Sequence, residues 1–233
     1  MNNSVQKVQK TGKRGAAPRG RQHKTETTGR TNDPERTMAN ILEVAMREFA
    51  EKGLAGARID VIAEAMRTSK RMIYYYFDSK EGLYVAVLEE AYRRMRAIEA
   101  GLHLDDLPPE DALRRLVGFT VDYQMAHPEF IRLVMTENIH RGEYLRHSKA
   151  IQGLNVPAIE GLRRVYDRGV AAGVFRVGLD PLDLHMSISA LSVFNVANRH
   201  TFSLIFDRDF DAPSSIVARR DSIIEMVVRF VRR

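Results

Sequence analysis

The chain has 233 residues, of which 44% are hydrophobic and none is cysteine, and its formal net charge is +6. The absence of cysteine excludes disulfides, thiolate metal sites and cysteine nucleophiles, and no apolar run approaches the roughly 18 residues that a membrane helix needs. The length allows one large domain or a small domain joined to a larger one. Since the start of the chain lacks the apolar region of a secretory signal, we expect a cytoplasmic protein.

The positive charge is concentrated at the N-terminus. Residues 1–32 contain eight lysines and arginines and a single acidic residue, Glu26, so this segment carries +7 and the rest of the chain −1. The segment has almost no large apolar residues, and we expect it to form a disordered basic tail. Such a tail can bind phosphate backbones without sequence preference or serve only as a solubilising leader, and both interpretations fit its composition.

From Asp33 onward the periodicity predicts an all-α chain of roughly nine helices. The first begins at Asp33-Pro34, a carboxylate cap followed by a proline in the first turn, and ends at Gly53. A helix from Ser79 is predicted to continue to about residue 101. Further helices are predicted to start near Ile59, Ser69, Pro109, Pro128, Pro157, Pro181 and Pro213. No strand signal of useful length is present in the sequence.

The segment TSKRMIYYYFDSKEGL, Thr68 to Leu83, places two cations beside three consecutive tyrosines. A short helix from Ile59 to Met66, a tight turn and a second, cationic helix from Ser69 to Phe77 are the geometry that presents a recognition helix to the major groove of DNA. Free N–H groups at the start of the second helix favour phosphate oxygens, and Arg71 can donate two hydrogen bonds to guanine O6 and N7. The pattern therefore predicts a helix-turn-helix.

The run GLAGARIDVIAEAMRTSKRMIYYYFDSKEGLYVAVL, Gly53 to Leu88, resembles the DNA-binding region of TetR-type transcriptional regulators. GVFRVGLDP, Gly173 to Pro181, is similar to the segment that precedes the dimerisation helices of the same family. The resemblance implies a three-helix DNA-binding domain over residues 33–82, joined to a larger helical effector-binding and dimerisation domain over residues 83–233. The second domain is expected to share the long helix with the first.

The sequence departs from the family pattern at two positions. Arg67 occupies the turn between the two short helices, where the family usually has glycine, so we expect backbone strain there because glycine is the residue most at ease at positive φ. Arg58 replaces the threonine that usually caps the first of these helices. This change either gives a charged contact to phosphate in place of a neutral one or leaves the helix without a cap.

Carried over position by position, the resemblance implies that eight side chains contact double-stranded DNA. They are Arg58, Ser69, Lys70, Arg71, Tyr74, Tyr75, Tyr76 and Lys80. Three consecutive rings cannot all face one way, so Tyr74 and Tyr76 are favoured over Tyr75, and at least one ring is expected to pack against Phe49 or the long helix. Lys80 is expected to contact phosphate, which positions a protein on DNA without reading sequence.

The last two helices are expected to supply a homodimer interface. The resemblance implies a four-helix seam, and the apolar residues available for it are Leu184, Ile188, Leu191, Phe194, Val196, Ile216, Ile223, Val227 and Val231. Small residues such as Ser187 and Ala190 would permit close approach. The same side chains also fit an intramolecular core, and both uses are expected, on different faces of the helices.

The middle helices are expected to enclose a small-molecule effector, because an apolar pocket with a few convergent polar groups is what ligand recognition requires. Candidate contacts are Tyr123, Asn138, His140, His185, Asn195, Asn198 and Arg199. Each of them also fits a satisfied core residue or a solvated one. The DNA-binding segment is most similar to the branch that controls the breakdown of pyrimidines and pyridine carboxylates, which suggests a nitrogen heterocycle or a carboxylate. No cofactor and no metal is expected.

These patterns and the resemblance to TetR-type regulators together imply a ligand-responsive repressor that binds a palindromic operator as a homodimer and is released by its effector. Release follows from linkage, since DNA and effector weaken each other's binding equally. Three alternatives remain: an activator of the same fold, an all-α enzyme using Asp183 with His185 or His140 with His147, and a DNA-compacting protein that acts through its basic tail. The sequence contains no HExxH motif and no nucleophile elbow, which argues against the enzyme.

Overall fold

The structure is a computed structural model that describes residues 33–233; the predicted basic tail, residues 1–32, lies outside the described residues. Within the described range the chain forms ten α-helices, two single-turn 3-10 helices and no strand, which confirms the all-α fold class. The helices are α1 Pro34–Gly56, α2 Ile59–Ala65, α3 Lys70–Phe77, α4 Lys80–Ala100, α5 Pro109–Ala126, α6 Pro128–Ile139, α7 Lys149–Ala171, α8 Pro181–Ala197, α9 Arg199–Phe206 and α10 Pro213–Val231.

Side-chain caps start several helices where the sequence predicts them. The Ser69 hydroxyl accepts a hydrogen bond from the Met72 N–H at 3.2 Å, and the Ser79 hydroxyl accepts one from the Gly82 N–H at 2.9 Å. Asp180 accepts a bond from the Leu182 N–H at 2.7 Å at the start of α8. These caps satisfy N–H groups that have no partner inside the helix, so they fix α3, α4 and α8 at their predicted starts.

Three predicted helix boundaries are wrong in detail. Gly53 bends α1 (φ 65°, ψ 177°), and one further helical turn to Gly56 follows where a loop was expected. The helix predicted to start near Pro157 is α7, which begins eight residues earlier at Lys149 because Ser148 caps it, so that Pro157 lies inside the helix. Asn198 separates α9 from α8, although no proline or glycine marks the break.

Two clusters of buried side chains hold the helices together. The first joins α1, α2 and α3 to α4 as far as Met95 and to α6, with Phe49, Ile62, Ile73 and Leu83 fully buried. The second joins α5, α7, α8 and α10. Helix α4 has 21 residues, a length of about 31 Å, and packs against α1 and α3 as well as against α7. It therefore links the two short helices to the C-terminal bundle.

The predicted boundary between residues 82 and 83 lies in the first turn of α4, and the domain limits remain a prediction. Among residues 33–233, no helix is both long enough and apolar enough to span a membrane.

Candidate DNA-binding surface and effector cavities

The turn between α2 and α3 is built on a strained backbone. Arg67 adopts φ 51°, in the left-handed region where its sequence position suggested glycine. The turn is closed by the Thr68 N–H, which donates to the Ala63 carbonyl at 2.9 Å. The Ile73 side chain of α3 is fully buried, so the opposite side of this helix faces outward. The arrangement is that of a helix-turn-helix.

The three tyrosines of α3 have different surroundings. Tyr75 is 77% exposed and Tyr74 is 42% exposed, whereas Tyr76 is half-buried against the first core cluster, which contains Phe49 and Leu83. The Tyr75 and Tyr76 rings meet edge-on, with centroids 5.3 Å apart. Tyr76 is the ring that packs inward, as expected for at least one of the three. The exposure of the rings does not support the preference for Tyr76 over Tyr75 as a DNA contact.

The two cations in the first turn of α3, Lys70 and Arg71, are exposed. Lys70 approaches a carboxylate that the sequence reading did not single out: its Nζ lies 3.8 Å from Asp60 Oδ2. Asp60 also accepts two hydrogen bonds from Arg58, at 3.2 Å from Nε and 2.7 Å from Nη2. These bonds hold the pKa of the Asp60 carboxyl at about 2. Asp60 is two residues from Arg58, but only the fold brings it to Lys70.

Arg58 resolves the second departure from the family pattern. It occupies the N-cap position of α2 with no side-chain capping bond, and its guanidinium is directed to Asp60. Its backbone N–H donates to Glu48 Oε1 of α1 at 3.1 Å. The start of α2 is therefore held by a buried carboxylate from a neighbouring helix, and the Arg58 side chain stays on the exposed surface.

The start of α4 is packed tightly against the end of α3. A Cβ atom added at Gly82 would lie 2.2 Å from the Phe77 carbonyl oxygen. Lys80 is half-buried, and its Nζ donates to the Ala55 carbonyl at 3.3 Å, so it ties the end of α1 to α4. Sequence reasoning missed Gly82, because a glycine in the first turn of a helix gives no indication that the Phe77 carbonyl oxygen lies against it.

The seven residues predicted to contact an effector do not form one site. Three of them, Asn195, Asn198 and Arg199, line a narrow cleft of about 50 Å³ between α8, α9 and α10. The cleft is walled by aromatic rings, and the Phe202 ring lies 5.0 Å from that of Phe194. Arg199 forms an ion pair with Asp211 at 2.8 Å. At this volume the cleft accommodates little more than water.

His185 lies apart from these three, close to Arg96 of α4. Burial, and then the positive charge of Arg96, lower the pKa of His185 to about 4, so the ring is neutral near pH 7. The Arg96 side chain is 11% exposed, forms an ion pair with Glu99 and donates from Nε to Asn155 Oδ1 at 3.0 Å. Polar groups from α4, α7 and α8 therefore meet inside the bundle.

Arg96 and Glu99 also line a cavity of about 410 Å³ between α4, α7 and the 3-10 turn Leu104–Asp106. The rest of its wall combines charged and apolar residues, among them His103, Asp105, Leu154, Pro157, Ala158 and Arg164. This volume is within the usual range for small-molecule pockets. The sequence reading missed Arg96 because its helical position looks like that of a solvated arginine.

The remaining predicted effector residues lie elsewhere. Tyr123 is buried, and its ring stacks on His127 with centroids 4.1 Å apart; burial, then the charge of Glu129, raise its pKa. Asn138 and His140 are exposed near the end of α6, and the Asn138 side chain donates back to the Val134 carbonyl at 2.8 Å. Within residues 33–233, no cluster of three or more His, Asp or Glu side chains is placed to hold a metal.

A buried carboxylate of α6 lies beside the contact between α1 and α4. Glu137 of α6 is 1% exposed, and its Oε2 accepts bonds from the N–H groups of Tyr144 at 3.2 Å and Leu145 at 2.9 Å. Burial, and then the charge of Glu137, raise the pKa of Tyr84 in α4. The Tyr84 ring packs edge-on against Phe49 of α1 at 5.1 Å. Helices α1, α4 and α6 thus share one aromatic and polar junction.

Comparisons with known proteins agree with this arrangement. A family model described as bacterial regulatory proteins of the tetR family matches residues 41–87, and one described as a tetracyclin repressor-like C-terminal domain matches residues 109–227. The HTH-type transcriptional repressor NicS of Pseudomonas putida is 38% identical over 90% of this chain and 99% of its own length. The repressor SCO4008 of Streptomyces coelicolor is 39% identical over 59% of this chain and 69% of its own length.

Solved structures show the same fold. A tetR-family regulatory protein from Rhodococcus RHA1 superposes with a TM-score of 0.68 at 20% identity, covering 84% of this chain and 97% of that one. The transcriptional regulator SCO4942 of Streptomyces coelicolor gives a TM-score of 0.62 at 27% identity, with 84% and 98% covered. With the helix-turn-helix of α2 and α3 and the helical C-terminal bundle, these matches show that the chain belongs to the TetR family of bacterial DNA-binding transcriptional regulators.

Proposed function

We propose that this regulator is a repressor that binds a palindromic operator as a homodimer and leaves it when a small-molecule effector binds. The observation that carries the proposal is the exposed start of α3, where Lys70 and Arg71 occupy the first turn of a helix whose other side is buried. Relatives named as repressors support repression rather than activation. The enzyme alternative lacks support, because the matched families and relatives are transcriptional regulators.

The proposed DNA contacts fall into two groups. Arg71, Lys70, Ser69 and the exposed rings of Tyr74 and Tyr75 face outward on or beside α3 and are proposed to reach base edges and phosphates. Arg58 is proposed to contact phosphate at the start of α2. Tyr76 and Lys80 were also carried over from the family; their packing and hydrogen bond favour a role in supporting α3 and α4.

The homodimer is proposed to form through α8 and α10. Several residues first assigned to the seam, among them Leu184, Ile188, Ile223, Val227 and Val231, are buried inside the chain. The large apolar side chains that these helices leave exposed are Leu182, Met186, Phe194, Val217, Met226 and Phe230. Two copies joined by these faces would present two α3 helices to half-sites about 34–36 Å apart, which is why we expect a palindrome.

The effector is proposed to bind in the cavity beside Arg96. Its position supports linkage, because the cavity lies along the C-terminal half of α4 while the helix-turn-helix packs on the N-terminal half. A ligand that moved Asn155 of α7 away from Arg96 of α4 would shift α7 against α4, and α4 would displace α3. A carboxylate or an electron-rich nitrogen heterocycle would suit the Arg96 guanidinium. A coupling of about 1–3 kcal/mol changes operator affinity by about 5- to 150-fold.

Selection of random duplexes by the purified full chain tests the DNA-binding part of the proposal. We expect an enriched palindrome with one helical turn, or a multiple of it, between half-site centres. Arg71→Ala should lose about 1–3 kcal/mol of discrimination at one base position of each half-site, the usual contribution of a bidentate contact. Arg115→Ala, an exposed arginine on α5, serves as control. Failure to enrich any consensus, or an unchanged consensus with Arg71→Ala, would contradict the proposal.

A thermal-shift screen with nitrogen heterocycles, with and without a carboxylate, tests the effector part. A compound at about 100 times its Kd should stabilise the protein by about 2.7 kcal/mol. Arg96→Gln should abolish the shift, whereas Arg199→Gln, which alters the narrow cleft of α8, α9 and α10, should leave it intact. The opposite pattern would place the effector in that cleft and overturn the assignment to Arg96.

A further inference from the structure

Asp60 forms a charge cluster that bridges the starts of α2 and α3 on the proposed DNA-binding surface. It accepts two hydrogen bonds from the Arg58 guanidinium, on Nε and Nη2, and its Oδ2 lies 3.8 Å from Lys70 Nζ. All three side chains reach solvent: 68% of the Arg58 side chain, 58% of Lys70 and 39% of Asp60 are exposed. An acidic group thus lies between two cations where a phosphate chain is expected to pass.

The geometry of the Arg58 fork restricts what it can bind. Asp60 occupies the side of the guanidinium formed by Nε and Nη2, so Nη1 and the second N–H of Nη2 are directed away from the carboxylate. The two hydrogen bonds to Asp60 therefore fix the direction of the free edge of the guanidinium. Because the Arg58 side chain is already ordered, it loses little conformational entropy when that edge binds a phosphate.

The carboxylate also changes how the surface responds to DNA of any sequence. Arg58 and Lys70 alone would contribute a charge of +2, and Asp60 reduces the charge of the cluster to +1. Non-specific affinity is set by the number of phosphates that cations neutralise. The negative charge of Asp60 therefore weakens DNA binding wherever a phosphate lies close to it. The effect is smaller when the DNA is placed so that its phosphates contact the outward edges of Arg58 and Lys70.

We propose that Asp60 is a specificity-determining residue: it orients Arg58 and Lys70 for the operator and repels DNA backbone that arrives in any other register. The proposal rests on the proposed DNA contact through α3. Specificity is a difference between two affinities, and a repulsive element that acts mainly on the wrong complex increases that difference.

A purely structural role for Asp60 is not favoured by its surroundings. Exposed ion pairs contribute little to stability. The start of α2 is held by Glu48, which accepts a bond from the Arg58 backbone N–H at 3.1 Å, and by Asp60 Oδ1, which accepts a bond from the Val61 N–H at 3.2 Å that an asparagine amide oxygen can also accept. Removing the charge of Asp60 is therefore expected to leave the fold intact. The charge itself is present throughout the pH range of DNA-binding experiments, since the two hydrogen bonds from Arg58 lower the pKa of Asp60 to about 2.

The test compares Asp60→Asn with the wild type in the full chain. Binding to the selected operator and to a scrambled duplex of the same length is followed by fluorescence anisotropy between about 50 and 200 mM KCl. We expect Asp60→Asn to bind the scrambled duplex about tenfold more tightly at the low-salt end, with a salt slope steeper by about one phosphate, or 0.9. Operator affinity should change much less, so the ratio of the two affinities should fall at least about fivefold.

Two further variants separate charge from geometry. Glu64→Gln makes the same change of charge at another exposed position of α2 and should leave the affinity ratio unchanged. Asp60→Glu keeps the charge on a longer side chain, so it should preserve the wild-type salt slope on the scrambled duplex. Circular dichroism and thermal unfolding identify a variant that fails to fold; if Asp60→Asn does so, Asp60→Ser, which also removes the charge, takes its place in the comparison.

The proposal is overturned if Asp60→Asn leaves both affinities unchanged or alters them by the same factor, if Glu64→Gln reproduces its effect, or if Asp60→Glu steepens the salt slope. The wild-type protein decides the underlying function independently. If it selects no operator, the proposed function fails; if it selects one and Asp60→Asn discriminates as well as the wild type, only the role of Asp60 fails.

Discussion

Arg67 adopts a left-handed backbone conformation that a residue with a Cβ atom disfavours. Its φ of 51° is costly for a residue with a Cβ atom, and glycine removes that cost while increasing the entropy of the unfolded chain. We expect Arg67→Gly to raise the free energy of unfolding by about 0.5–1 kcal/mol. Arg67→Ala removes the same charge but keeps Cβ, and it should give no gain. Urea unfolding of the three proteins at one concentration measures the difference; equal stability of the Gly and Ala variants would refute the strain.

His185 should make stability depend on pH. Its pKa is lowered from 6.5 to about 4 by burial and by Arg96. Below the unfolded-state pKa the unfolded chain takes up a proton that the folded chain does not, so this contribution to stability is complete above pH 6.5 and is lost as the pH falls towards about 4. The loss should amount to about 1–3 kcal/mol.

His185→Gln isolates this effect, because the carboxylates titrate alike in both proteins and cancel in the comparison. The stability advantage of the wild type over the variant, from urea unfolding at several pH values, should shrink as the pH is lowered from about 7 to about 4. A constant difference would show that His185 is not buried as a neutral ring.

The residues that sequence reasoning identified best are those whose role is local. Ser69 is recognisable as a cap from the residues that follow it, and the strain at Arg67 follows from the turn in which it lies. Asp60 and Arg96 were missed because their partners, Lys70 and Asn155, come from other helices. In the sequence, a basic residue at helical spacing gives the same pattern whether its side chain lies in water or contacts another helix.

At the scale of elements, helix starts with a proline or a serine cap were predicted well, as for α4, α5, α6 and α8. The break between α8 and α9 was missed, since the chain turns at Asn198 without glycine or proline. The start of α7 was also misplaced. Ser148 is a competent cap, but Pro157 gave a stronger signal, and a proline inside a helix is uncommon enough to be read as a start.

The junction between α3 and α4 depends on a glycine. A Cβ atom at residue 82 would meet the Phe77 carbonyl oxygen at 2.2 Å, and a backbone atom in that position cannot move without moving α3. We expect Gly82→Ala to destabilise the protein by about 1–3 kcal/mol, as overpacking does, and to weaken operator binding. Gly153→Ala, in α7 with open space around it, is the matched control. A Gly82→Ala variant with wild-type stability and operator affinity would refute this account of the junction.

At the scale of the whole molecule, the sequence predicted the position of the helix-turn-helix more fully than the positions of the cavities. The helix-turn-helix is one continuous stretch, so its motif and its surface coincide. The cavity beside Arg96 is assembled from α4, α7 and a 3-10 turn between α4 and α5, which no local pattern reports. The predicted effector residues were therefore distributed among the narrow cleft, the neighbourhood of Arg96, the buried core at Tyr123 and the surface.

The proposed homodimer gives the last prediction, because the whole molecule must assemble before two α3 helices can reach one operator. Met186 of α8 is 64% exposed within one chain and is expected to be covered in the dimer. Met186→Asp would bury an unpaired carboxylate in an apolar seam, a strongly unfavourable change, and should yield a folded monomer in sedimentation velocity. Its operator affinity should fall at least about tenfold, since only one half-site is bound at a time. Met135→Asp, on α6 and also exposed, should remain dimeric. A Met186→Asp dimer with full operator affinity would exclude this face as the interface.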